Sequence, residues 1–139
     1  MLRLIYTFLA GVLVIGAVVS AGTPSTDGAA VYIISPADGT DVSSPVRVVF
    51  GLRGMGIAPA GVERSGTGHH HLLIDRELPA FDKPIPADEH TIHFGGGQTE
   101  TELELAPGEH NLQLLLADHT HTPHDPPIYS KKISVTVGE

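Results

Sequence analysis

The sequence predicts an all-β chain folded as a two-sheet sandwich of about seven short strands. Three observations carry this expectation. Gly (16) and Pro (11) are abundant while Asp, Glu, Lys and Arg make up only 17% of the chain, a composition of short strands joined by many turns. Apolar runs are brief and are separated by turn signals at regular intervals. No run beyond the N-terminal segment repeats apolar residues at a convincing helical period.

The elements follow in order. Val31–Ser35 (VYIIS) is an apolar strand stopped by Pro36, and Pro36-Ala37-Asp38-Gly39 is a turn with Pro early and Gly late. Val46–Leu52 (VRVVFGL) is the second strand, and the glycine-rich stretch Gly51–Gly68 with Pro59 is a long loop. His69–Asp75 (HHHLLID) is the third strand, followed by a connector, Pro79–Asp88, that holds Pro79, Pro84 and Pro86. His90–Phe94 (HTIHF) is the fourth, broken by Gly95-Gly96-Gly97. Thr99–Leu105 (TETELEL) alternates polar and apolar residues, as a half-buried strand does. Pro107-Gly108 turns the chain into His110–Ala117 (HNLQLLLA), the sixth strand. Asp118–Pro127 is a loop, and Ile128–Val137 (IYSKKISVTV) is the last strand, with Ile133, Val135 and Val137 on one face. Strands at this spacing argue an immunoglobulin/fibronectin-like β-sandwich over residues 30–139, preceded by a polar linker, Gly22–Ala29.

Met1–Ala21 (MLRLIYTFLAGVLVIGAVVSA) has one Arg ahead of an apolar run that ends in small residues. This is the layout of a secretory signal peptide, with cleavage expected after Ala21. Loss of Arg3 would take the formal charge from −8 to −9. The expected location is the periplasm or the exterior. The alternative is an uncleaved membrane anchor, since Leu4–Ala21 lies at the lower edge of the roughly 20 apolar residues that span a bilayer.

Composition excludes several classes. With no Cys, the chain has no disulfide framework, thiolate zinc site, blue-copper site, iron–sulfur cluster or cysteine nucleophile. The net charge of −8 and the absence of Trp argue against nucleic acid as a partner, because binding there runs on Lys and Arg. No G-x-S-x-G and no H-E-x-x-H is present.

The surplus is histidine, nine in all. In an up-and-down sandwich the loops after the second, fourth and sixth strands emerge at one end. His69 and His71 open the third strand, His93 closes the fourth, and His119, His121 and His124 lie in the loop after the sixth. These six are the candidate metal ligands. Side chains alternate across a strand, so His69, His71 and Leu73 are expected on the outer face, partly covered, and His70, Leu72 and Ile74 inside. Parity along the sixth strand adds His119 to the outer face, with His121 or His124 folded over it. His90 and His110 are expected to be structural. Imidazole sets without Cys suit Cu(II) or Zn(II), and such binding is expected to weaken as pH falls through about 6.5.

The segments GHHHLLID (Gly68–Asp75), FGGGQTE (Phe94–Glu100), PGEHNLQLLLAD (Pro107–Asp118) and PHDPPIYS (Pro123–Ser130) resemble an uncharacterised family of small exported bacterial proteins, domain of unknown function 4399. The resemblance covers the chain from Val31 to Val137. It implies an exported, single-domain, β-rich protein and supplies no catalytic residues. The function expected from the residues is therefore a metal-binding, non-enzymatic role in carriage, storage or sensing. The alternative is a structural or interaction module that meets a protein partner through the Gly51–Gly68 loop. A metal-dependent redox enzyme would rest on fold analogy alone.

Overall fold

The computed structural model describes residues 22–139, so the expected signal peptide lies outside the described residues. Nine strands and no helix are found among them: β1 (Ala30–Ser35), β2 (Thr40–Val42), β3 (Val46–Arg53), β4 (Gly56–Ile57), β5 (Thr67–Ile74), β6 (Thr91–His93), β7 (Glu100–Leu103), β8 (Gly108–Ala117) and β9 (Ile133–Val137). They form two sheets. One has the order β1-β3-β7. The other has the order β2-β9-β8-β5-β4, with β6 also paired to β5.

Alternation in the sequence builds the core between the sheets. Val46, Val48 and Phe50 of β3 face inward while Arg47 is exposed. Opposite them lie Leu72 and Ile74 of β5, Leu112, Leu114 and Leu116 of β8, and Ile133, Val135 and Val137 of β9. Leu72, Leu112, Leu114 and Leu116 are fully buried, and each such side chain contributes roughly 1.5–3 kcal/mol. A second apolar cluster lies on the outer face of the larger sheet. There Leu73, Leu115 and Ala117 are covered by Ile85, Leu78 and Phe81 of the connector between β5 and β6. Both faces of β5 are therefore buried, the outer one by a folded-back loop.

Seven of the nine strands match the expected ones. The two short additions, β2 and β4, carry no alternation that a sequence could reveal. They pair parallel to β9 and to β5 respectively, and Val42 and Ile57 pack against the core. The last strand is shorter than expected because its first half is not a regular ladder. Leu114 N donates to the Ser130 hydroxyl, where a backbone carbonyl would serve in an unbroken ladder, while Ser130 N donates to Leu114 O. Gly22–Ala29, expected as a linker, is docked. Thr23 N donates to Asp118, Ser25 N to Asp125 O, and Asp125 N to Thr23 O.

Register delivers the convergence at one end. β5 and β8 are antiparallel with His69 opposite Ala117, and β5 and β6 are antiparallel with His71 opposite His93. The start of β5, the end of β6 and the end of β8 thus meet at the same rim.

Candidate metal centre

Three strand features put imidazoles together at that rim. His69 and His71 are two apart on β5 and share its outer face, with ring centroids 4.9 Å apart. His93 is the cross-strand partner of His71, and its ring centroid lies 5.0 Å from both His69 and His71. One ring nitrogen from each of the three lies within 4.8 Å of the others, so His69, His71 and His93 could hold one metal ion. His69 Nε2 and His93 Nε2 are 3.2 Å apart. Two nitrogens bound to one tetrahedral zinc at 2.0–2.1 Å would sit about 3.3 Å apart.

His121 joins them from the loop after β8, 4.6 Å from His93 and 5.1 Å from His69 between ring centroids. Its backbone is left-handed (φ 67°), which costs a non-glycine residue energy and persists only where neighbours enforce it. Here His121 N donates to Asp118 O, and Ile85 N donates to His121 O. Asp118 fixes the turn through its carboxylate, which accepts from Thr120 N and Oγ1, Thr122 N and Thr23 N. Burial pushes the Asp118 carboxyl up, but these hydrogen bonds outweigh it and hold the group below the usual carboxylate range.

The electrostatics favour a cation ligand set. His69 and His71 are 0% and 1% exposed. Burial first, then the neighbouring imidazoles, depresses His69 to about 4 and His71 to about 3. His93 is lowered by the same two causes. At neutral pH all three are uncharged with free lone pairs, the form a metal requires. The expected pH boundary of binding therefore moves below 6.5. Nδ1 of His69 and both ring nitrogens of His71 are buried with no hydrogen-bond partner. Buried polar atoms are nearly always satisfied, and an ion would satisfy nitrogens of this kind.

Glycines admit the arrangement. A Cβ at Gly95 would overlap the His93 imidazole, so His93 keeps its orientation only beside glycine. A Cβ at Gly68 would lie 2.6 Å from Ala117 O and 2.6 Å from His124 Nε2. The loop after β3 is tied over the rim rather than free: Ala58 N donates to Gly68 O, Ala60 N to Gly95 O, and Gly61 N to His119 O.

Of the six candidates, the structure brings together His69, His71, His93 and His121. His119 is apart from them, with Nε2 4.0 Å from Glu63. The regular strand ends at Ala117, so the parity that added His119 stops there. His124 is buried, with Nδ1 against Thr23 Oγ1 and O at 3.1 Å each, and it ties the N-terminal segment to the loop. His70 points inward, 5.1 Å from the Phe50 ring. His90 and His110 bond to Ile74 O and to Asp75 with Ala106 O. Sequence reasoning missed residues 84–87, which wall the site from the connector. Their only signal was two prolines in a connector longer than a turn needs.

No curated protein and no solved structure matches the chain. Residues 48–138, from β3 to just beyond β9, match the family described as Domain of unknown function (DUF4399), and the chain belongs to that family.

Proposed function

We propose that this chain is an exported β-sandwich protein that binds a transition metal, Cu(II) or Zn(II), through His69, His71 and His93, in a carriage, storage or sensing role rather than a catalytic one. The observation that carries the reading is the trio itself: three ring nitrogens within 4.8 Å, on imidazoles that desolvation and neighbouring imidazoles push below the ordinary value. Imidazole suits both metals, and the absence of Cys removes thiolate competition for softer ions. Export is supported by the apolar N-terminal segment with its small-residue end.

The test is calorimetric titration of tag-free Gly22–Glu139 with Cu(II) and Zn(II) against a competing chelator. Wild type is compared with His69→Ala/His71→Ala/His93→Ala and with His119→Ala. Expected are one-to-one binding and a loss in the triple variant greater than the roughly 10–100-fold that follows removal of a ligand's supporting hydrogen bond. His119→Ala should bind within twofold of wild type. Weak binding that the triple variant retains would sink the metal reading.

A further inference from the structure

The trio has one side closed by its own strands and one side open. A cavity of about 270 Å³ lies against His71, His93 and His121, with residues 84–87 (Pro-Ile-Pro-Ala) across from them. His69 does not line it. The cavity is held in shape from both walls, because Ile85 is buried in the outer apolar cluster and its N–H donates to His121 O. His121 lies outside the set of nitrogens that meet within 4.8 Å. Three protein nitrogens with the fourth direction facing a cavity is the arrangement of a metal that exchanges a ligand, whereas closed sites use four.

We infer that an ion at His69, His71 and His93 keeps one coordination position open to this cavity, and that the position takes a short-chain carboxylate. This rests on the metal reading above and names a ligand for that same site. Three neutral imidazoles leave a divalent ion its full charge, and no acidic residue lines the cavity, so an anionic donor is favoured there. The walls decide the rest. Residues 84–87 offer only apolar side chains, which suit a methylene tail, and His121 is the one polar wall residue outside the ligand trio. The cavity, about 270 Å³, has room for a carboxylate with a short tail.

The experiment uses the tag-free protein loaded with Co(II), whose visible bands report coordination. The probes are acetate, propionate and butyrate. The variant is Ala87→Phe, at an exposed wall residue outside the core. Expected are bands that shift with each acid, with butyrate bound roughly tenfold more tightly than acetate, as two more buried methylenes predict. Ala87→Phe should keep the Co(II) bands and lose at least tenfold in butyrate affinity. Bands that form but respond to no acid, or respond only after His121→Ala, would mean that the coordination is closed. That result overturns this inference and leaves the metal reading standing. Equal affinity for acetate and butyrate would also overturn it, since the cavity would then play no part. Absence of Co(II) bands would be the failure of the metal reading itself.

Discussion

The paired strands β5 and β8 carry histidines at both ends, and the two ends treat them oppositely. At one end both ring nitrogens of His110 face acceptors: Nδ1 lies 2.7 Å from Asp75 Oδ2 and Nε2 lies 2.8 Å from Ala106 O. The Asp75 hydrogen bond raises its pKa. Nearby, Arg76 bonds to Asp88 and Thr91, and His90 to Ile74 O. At the other end His69 and His71 are more deeply buried and are depressed well below 6.5, chiefly by that burial. The difference separates two uses of one residue type. An imidazole given acceptors is pushed toward its charged, donating form, whereas imidazoles buried against one another are pushed toward the neutral form that keeps a lone pair for an ion.

The largest expected contrast is in the response to acid. His69, His70 and His71 fall to about 4, 4 and 3 in the folded chain, against 6.5 as ordinary histidines. Their burial disfavours the charged form. As pH drops below 6.5 the unfolded chain takes up protons first, so the stability they allow is complete above 6.5 and is lost progressively toward 4. Denaturant unfolding of metal-free protein from pH 7.5 to 4.5 should show this loss, with about three protons bound on unfolding by these residues and further uptake by His93 and His124, which are also lowered. His70→Leu should remove about one of those protons. It should also raise stability at pH 5, because both His70 ring nitrogens are buried without partners. A flat profile over that window would mean that these imidazoles are hydrated.

A smaller effect follows from Gly95. Its missing side chain is what lets the His93 ring lie over the trio. Gly95→Ala should turn His93 away and weaken metal binding roughly tenfold, a change of about 1.4 kcal/mol, with little loss of thermal stability. Equal affinity in the two proteins would remove His93 from the ligand set and leave β5 to hold the ion without it.

The sequence carried more of this site than of the connections around it. Alternation placed His69 and His71 outside and His70 inside, because one residue of shift would have put Leu72 and Ile74 in solvent. Strand count then brought His93 to the same rim. Alternation stops where the strand stops, so His119 could not be placed by parity, and the choice between His121 and His124 was settled by a turn. That turn depends on the Asp118 carboxylate and on a left-handed His121, neither of which has a hydrophobic signature. The wall at residues 84–87 was equally silent, since a connector folded back over a sheet shows only as scattered apolar residues. β2 and β4 are three- and two-residue pairings with one apolar side chain each on the core, too short to show alternation.

The smallest effect belongs to the satisfied end and has the opposite pH sign. His110 is raised, so its contribution is complete below the ordinary value of 6.5 and fades as pH climbs through the higher folded value. The pair is partly exposed, which limits it to less than about 1 kcal/mol. His110→Gln should therefore cost measurable stability at pH 6, much less at pH 9, and nothing in metal affinity. The amide can still bond to Asp75, so what it removes is the charge. If the cost were the same at both pH values, the Asp75–His110 contact would act through its hydrogen bond alone. The contrast between the ends would then lie only in whether the ring nitrogens find partners, and not in which histidines carry a proton.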